Sequence, residues 1–492
     1  MQKRNPNFFH AIDFDENFRV RNIFWADARS RALYESFSDV ISFDSTYLTN
    51  KYDMPFAPFV GVNHHGQSVL FGCGLLSNEN TATYVWLFKA WLECMYGRTP
   101  NAIVTDQCKA IQGAVLEVFP HSRHRLCLWH IMKKIPDVTP YCKSYDVIKK
   151  CLKAIVYESL TADVFDKQWM EMILDHGLSN NVWLTCLFND RTRWAPVYVK
   201  ETFWAGMSTT QRSESMNAFF DDYVNSKTTL KQFVEQYDNA LRSKVEKEER
   251  ADFQSVNSSI PLLTDFGFER QFEEAYTHDM FRKFQNEIKG LIFCNLVEVS
   301  DLDGVRAFVV TDVSKGKDGA TKKTAYEVKF DELKQEFRCV CCLFEFMGII
   351  CRHCIKVLIH TNTSVVSSYY IMDRWRKGIK RIHNALKNCY LDNMSNDHMS
   401  RHNELYSKFS YVVDAAVVSE EKYVFCTQYM DSLQESLLHF SSANANCSSV
   451  GVTPSPVRCV HSPKKVRSKG RPPTKRKAAK VYRSKTKHVK NT

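Results

Sequence analysis

Apolar and polar positions change period quickly from Asp39 onward. Val40-Ile-Ser-Phe-Asp44 reads as a strand, and Phe56–Val62 and Ser68–Leu75 read as two more, joined by the turn-like His64-His65-Gly66. Thr81–Met95 carries Tyr84, Trp86, Leu87, Ala90 and Trp91 at helical spacing. Ala102–Asp106 returns to strand, Lys109–Val118 is a second helix, and Arg123–His130 reads as a fifth strand. The order of strand, hairpin, helix, strand, helix, strand predicts an α/β layered domain.

From Ile131 to about Asn295 helical patterns dominate. Leu230, Phe233, Val234, Tyr237 and Leu241 form one apolar stripe, and Phe281, Phe284, Ile288 and Leu291 form another. Each stripe suits packing within its own domain more often than a dimer seam. Val305–Thr311 and Thr324–Phe330 read as strands across a Lys/Gly turn that lead straight into a cysteine cluster, which predicts a small β-hairpin with a following helix. Beyond Ser368 the pattern is helical again, and Ser441–Val452, rich in Ser and Asn, reads as a linker.

Size and charge sharpen this outline. A chain of 492 residues exceeds the roughly 250–300 at which single cores stop growing, so two or three domains are expected. Its formal charge of +11 is concentrated at one end, because Pro454–Thr492 holds fourteen Lys/Arg and no Asp/Glu, leaving residues 1–453 at −3. No apolar run reaches the ~18–20 residues of a membrane helix, and the first residues lead into no signal-peptide core, which argues against membrane and secreted classes. The 17 Cys are an odd number and mostly scattered, which fits reduced thiols in cytosol or nucleus.

The clustered cysteines need their own explanation. Cys339-x-Cys341, nine residues, then Cys351-x-His353 supplies three thiolates and an imidazole, the donor set of a tetrahedral zinc site. Four protein ligands leave no open position, so such a zinc is structural; the alternative is a run of buried free cysteines. Cys342 and Cys354 are extra thiols and alternative ligands. Elsewhere, Asp44 and Asp106 end two strands, and Glu214 heads a helical stretch. In a ribonuclease-H-like sheet the first and fourth strands are neighbours, so two such acids can face each other. With a third acid they would hold two Mg²⁺ or Mn²⁺ ions about 3.5–4 Å apart for phosphodiester chemistry. Each acid alone is equally a turn former or a helix cap. In the tail, Lys464, Lys465, Arg467, Lys469, Arg471, Lys475, Arg476 and Lys477 surround Gly470-Arg-Pro, which resembles an AT-hook and suits nuclear import. A solvated charged tail is the plainer alternative. Arg374-Trp-Arg-Lys377 with Lys380-Arg381 forms a smaller basic patch, facing DNA or solvent.

Val40–Gly66, Asn101-Ala-Ile-Val-Thr-Asp-Gln107 and Cys127-Leu-Trp-His130 closely resemble the transposase domain of Mutator-like elements. More narrowly, the chain from about Phe8 to Leu358 resembles the plant far-red impaired response family of transposase-derived nuclear transcription regulators. Phe344-Glu-Phe-Met-Gly-Ile-Ile-Cys-Arg-His353 resembles that family's SWIM zinc finger. The resemblance implies that Asp44, Asp106 and Glu214 match the acidic triad, and that Cys127 and His130 match an accessory Cys-x-x-His motif. Cys108 departs from the acidic residue many relatives carry there.

The expected fold is an α/β ribonuclease-H-like transposase core with a mainly helical extension, a small β-hairpin/helix zinc module and a disordered basic tail. Residues 1–38 form a lead-in, 39–132 the core, 133–295 the helical region contributing Glu214, and 296–364 the hairpin and zinc finger, centred on about 327–363. Residues 365–440 form a helical region, and 441–492 the linker and tail. The expected function is a nuclear, zinc-binding, DNA-associated transcription regulator, tied to light-controlled development by resemblance alone. DNA is the expected partner, together with a homo- or heterodimer of related chains, and no membrane. An active transposase cutting DNA through the metal-bound triad is one alternative, and a chromatin-associated dimerising partner protein is another. Full-length relatives carry a further zinc-finger DNA-binding domain ahead of the core. With about forty residues preceding it here, either the chain is truncated or a paired partner supplies recognition.

Overall fold

The structure, a computed structural model, describes residues 8–46, 50–138, 145–225, 227–302, 305–315, 321–379, 419–438, 461–464 and single positions between 405 and 416. The chain opens with β1 (Phe9–Phe14), β2 (Val20–Ala26) and α1 (Ala28–Phe37). It continues through β3 (Val40–Phe43), β4 (Phe56–Val62), β5 (Ser68–Leu75), α2 (Thr81–Cys94), β6 (Ala102–Thr105), α3 (Lys109–Val118), β7 (Arg123–Leu126) and α4 (Leu128–Val138). The strands form one mixed sheet of order β1-β2-β5-β4-β3-β6-β7. β3 is its axis, antiparallel to β4 and parallel to β6, and every residue of β3 is buried. That is why Val-Ile-Ser-Phe reads as a nearly continuous apolar run: helices cover both faces of a central strand.

Two parts of this sheet, and the hairpin that follows later in the chain, differ from the pattern reading. The described part of the lead-in, residues 8–38, is a hairpin and a helix added to the sheet. β1 shows half-buried and exposed positions in alternation, and Asp13, on the half-buried face, takes Arg21 and Asn22 across the ribbon at 2.6 and 2.7 Å. Such an edge ribbon carries a weak apolar signal. The stretch Arg123–His130 is not one strand. Cys127 N–H makes the last sheet bond, to Thr105 O at 2.7 Å, and Cys127 O accepts the first helical one from Ile131. Finally, the predicted two-stranded hairpin before the cysteines is a four-stranded antiparallel sheet, described below.

Eight helices follow: α5 (Tyr145–Glu158), α6 (Ala162–Asp175), α7 (Val182–Asn189), α8 (Pro196–Val199), α9 (Gln211–Asp221), α10 (Leu230–Asn257), α11 (Gly267–Ala275) and α12 (His278–Gly290). Local chemistry fixes where several begin. Thr161 caps α6, Asn181 caps α7, and Thr229 with Gln232 makes a reciprocal capping box at the head of the 28-residue α10. Both apolar stripes are used internally. Phe233 and Tyr237 pack edge-on against Trp25 of the sheet, at 5.9 and 5.6 Å between ring centroids, and Phe281, Phe284 and Ile288 lie in the core.

The second sheet is β8 (Cys294–Leu302), β9 (Val305–Lys315), β10 (Thr321–Asp331) and β11 (Glu336–Cys339), in the order β11-β10-β9-β8. α13 (Leu343–Met347) and α14 (Arg352–His360) close it, and α15 (Glu420–Leu438) lies further along the chain. This module is not a separate globule. One buried cluster runs from Val40 and Val104 of the first sheet through Trp204 and Phe284 to Phe330, Ile350, Ile355 and Trp375. The segment after the zinc module seals that contact, and within its basic patch the Arg374 side chain is folded inward rather than exposed. Arg374 is buried, paired with Asp39 and donating to Val62 O, with its guanidinium 4.4 Å from the Phe37 ring. Arg376 pairs with Asp373 and Lys377 with Glu273, while Lys380 and Arg381 lie outside the described residues.

Candidate metal centres

The sulfur-rich centre is built from two turns. Cys339 ends β11, opposite Val328 of β10. Cys342 then takes a left-handed conformation (φ 51°) and turns its own thiol away, to Val340 O. α13 ends at Gly348 (φ 74°), where an added Cβ would lie 2.2 Å from Met372 Sδ and 2.8 Å from Trp375 Nε1; only glycine satisfies both the turn and the packing. The chain then re-enters at Cys351, which caps α14 and leaves His353 in its first turn.

The result is that one ligand atom from each of Cys339, Cys341, Cys351 and His353 lies within 4.8 Å of the others. Cys339 Sγ and His353 Nδ1 are 3.5 Å apart, the edge of a tetrahedron whose metal bonds are about 2.3 and 2.0 Å. His353 Nε2 points the other way, 3.7 Å from Asp312 Oδ2 on β9, and the ring stacks on Tyr326 at 3.9 Å. A carboxylate behind the imidazole is the usual outer partner of a zinc-binding histidine, fixing which nitrogen faces the metal. Hydrogen bonding with Cys341, helped by Cys354 and burial and opposed by Cys351 and His353, pushes the Cys339 thiol well above its ordinary range. The donor set therefore fits zinc. Cys354, an alternative ligand by sequence, is also close, with its sulfur 3.5 Å from that of Cys351.

The carboxylate centre is assembled from distant segments. Ser42 pairs with Val104 across parallel β3 and β6, so Asp44 and Asp106 stand level at the carboxyl ends of these strands. α9 crosses them through a 2.7 Å hydrogen bond between Ser213 and Ser42, which brings Glu214 down from its first turn. Thr210, just ahead of α9, donates to Cys127 Sγ at 3.3–3.4 Å and touches His130 Nδ1 at 3.4 Å. His130 Nε2 in turn lies 3.6 Å from Glu214 Oε1. The group that converges within 4.8 Å is Asp44, His130 and Glu214. Asp106 is outside it, and its Oδ1 accepts the Cys108 N–H at the head of α3. Cys127 holds Thr210 by hydrogen bonds, so the Cys-x-x-His pair divides its work between the helix junction and the carboxylates.

A third cluster escaped the pattern reading, which took His64-His65-Gly66 only as a turn. Both His64 and His65 meet Asp252 Oδ1 of α10, at 2.6 and 2.8 Å. These are hydrogen-bond lengths, shorter than the roughly 3.3 Å between two ligands on one metal bonded at about 2.0 Å. Burial raises the Asp252 carboxyl, but the two imidazole hydrogen bonds outweigh it and hold it below the usual carboxylate range. The cluster pins α10 to the β4–β5 turn. Of the predicted tail residues, Lys464 is described and exposed; Lys465, Arg467, Lys469, Arg471, Lys475, Arg476 and Lys477 lie outside the described residues.

Residues 40–134 match the MULE transposase domain, and residues 338–362 match the SWIM zinc finger. The chain is 37% identical to Protein FAR-RED IMPAIRED RESPONSE 1 of Arabidopsis thaliana over 447 residues, 91% of this chain and 53% of that protein. It is 38% identical to Protein FAR1-RELATED SEQUENCE 6 over 89% of this chain and 62% of the relative, and 34% identical to Protein FAR1-RELATED SEQUENCE 9 over 77% and 68%, both also from Arabidopsis thaliana. The chain belongs to the FAR1-related family. It spans between half and two thirds of the length of the first two relatives. In this FAR1-related chain all four sulfur-centre donors fall inside the zinc-finger match, and the metal they imply is a structural zinc. Asp44, Asp106, Cys127 and His130 fall inside the transposase match, whereas Glu214 lies beyond it. Among the described residues no helix is long and apolar enough to cross a membrane.

Proposed function

We propose that this FAR1-related chain is a nuclear, DNA-associated transcription regulator whose α/β body is a ribonuclease-H-like transposase core kept as a scaffold. Support for the core comes from the order β5-β4-β3-β6-β7, an antiparallel hairpin beside a central strand with parallel strands beyond it. Zinc is held by Cys339, Cys341, Cys351 and His353 and supplies folding energy. Asp312 orients His353. Nuclear import is assigned to the basic tail, which also contacts phosphates in a salt-dependent way. Dimerisation with related chains and a role in light-controlled development rest on the family.

The observation that carries regulation over catalysis is the position of Asp106. A two-metal nuclease needs carboxylates bridging both ions; here an imidazole stands with Asp44 and Glu214 while Asp106 accepts the Cys108 N–H in the turn ahead of α3. Mg²⁺ or Mn²⁺ would enter only if Asp106 swung into the group. The deciding experiment pairs a promoter–reporter assay with a DNA-cleavage assay in Mg²⁺ and Mn²⁺. Regulation is expected to survive Asp44→Asn and Glu214→Gln and to fail with Cys351→Ala, with no strand cleavage by the parent chain. Metal-dependent cleavage that disappears with Glu214→Gln would establish the transposase instead.

A further inference from the structure

A cavity of about 450 Å³ opens beside the β4–β5 turn, between α1, α10 and α12. Antiparallel pairing of β3 with β4 puts that turn at the start of β3, so the cavity lies at the end of the sheet opposite Asp44. Three lysines line it: Lys244 and Lys247 from α10, and Lys283 from α12. Among the described residues no carboxylate lies within 4 Å of their ammonium groups. The acids at the rim are engaged elsewhere: Glu248 with Arg29 at 3.0 Å and Asn63 at 2.9 Å, Asp27 with the Arg29 N–H at 2.8 Å, and Asp279 with Arg282 at 3.1 Å. Lys244 rests over the Phe219 ring at 4.2 Å. Lys283 reaches the turn because residue 66 is glycine (φ +74°); a Cβ there would sit 3.3 Å from its Nζ. Arg212, donating to Gly66 O and Ser68 Oγ at 3.0 and 3.1 Å, adds a further cation behind Lys283. Burial, followed by the Arg212 charge, pulls Lys283 below its ordinary range, and burial followed by Lys247 does the same to Lys244.

Lys244 and Lys283 are partly desolvated and lack an ion pair within 4 Å, with only a longer-range counter-charge on Lys283 from Asp279, and the exposed Lys247 stands beside them, so an anion in the recess would stabilise all three. The volume is that of a small-molecule site, and lysine is a point-charge binder of phosphate. We propose that this cavity binds a small molecule carrying two or more phosphate groups. Three elements wall the site into a recess, which suits a compact polyanion better than the convex backbone of a duplex.

The test is isothermal titration of the full zinc-loaded chain with inorganic pyrophosphate at constant ionic strength. Saturable one-to-one binding is expected, weakened about tenfold or more by Lys283→Gln and by Lys244→Gln, the loss of one charge-assisted contact each. Lys247→Glu, at an exposed position that tolerates change, is expected to weaken it at least as much while zinc content and thermal midpoint hold. No binding at millimolar pyrophosphate, or equal binding by all three variants, would overturn the proposal. So would a duplex oligonucleotide that displaces pyrophosphate and loses affinity in the same variants, which would make the recess a DNA-backbone contact.

Discussion

The sulfur centre and the carboxylate centre are both groups of metal-binding side chains, yet they are held in opposite ways. The first draws four donors from fifteen consecutive residues, bends the backbone into two left-handed positions to do so, and buries three of the four. The second draws Asp44, His130 and Glu214 from three distant elements, leaves the Glu214 side chain 37% exposed, and omits the level-standing Asp106. A closed, preorganised donor set is what a structural metal needs, whereas catalysis needs matched acids around an open position.

Breaking the sulfur centre should have the largest effect. Cys351→Ala is expected to lose zinc and unfold the module, forfeiting on the order of 10 kcal/mol of metal-coupled folding energy. Metal analysis with limited proteolysis checks this, and one zinc per chain with unchanged protease resistance would refute the assignment. Trp375→Ala probes whether the two regions stand or fall together. Removing this fully buried ring should cost about 3–5 kcal/mol and lower the melting of sheet and zinc module in one transition; two separate calorimetric transitions would show that the shared core is energetically divided.

Acid should distinguish the sheet from the metal. Burial, then the adjacent Arg193, holds His124 down to about 3. Arginine can only donate, so Nδ1 accepts from Arg193 at 2.8 Å and Nε2–H donates to Thr105 at 2.8 Å. The folded state thus binds fewer protons than the unfolded one. The contribution is complete above the ordinary value near 6.5 and is lost as pH falls toward 3, by up to about 1.4 kcal/mol per pH unit. Denaturant titrations at pH 7 and 5 should show a shallower loss in His124→Asn; parallel losses would remove His124 from the account.

Asp312→Asn should weaken zinc about 10- to 100-fold through His353 without abolishing it, as competition with a chelator would read. An unchanged affinity would mean Asp312 serves only Arg352, 3.5 Å away. The smallest effect is reserved for the carboxylates, where Glu214→Gln should leave reporter output and zinc content unaltered.

The zinc donors were legible because a single turn carries them, so their spacing in sequence is nearly their spacing in space. The central strand and its hairpin were legible because full burial leaves continuous apolar runs. Asp44 and Glu214 could be paired only through the family's pattern, since 170 positions separate them and each has an ordinary local role. Asp252 gave no signal at all: nothing in α10 distinguishes it from a solvated helical acid until folding brings His64 and His65 against it. The Arg374 patch misled for a related reason, because a basic run looks the same in sequence whether it faces solvent or, as here, is partly folded inward by a partner such as Asp39, 335 residues away.

That last contact has a bearing on synthesis. A ribosome delivers Asp39 and the central strand long before Arg374 and Trp375, the residues that seal the common core. Until they emerge, Val40, Val104 and their neighbours lack their final cover, and pairing so remote in sequence is slow to form. The nascent α/β body thus carries this apolar surface without its final cover over most of its translation, and the zinc-finger segment is made just ahead of the residues that seal it.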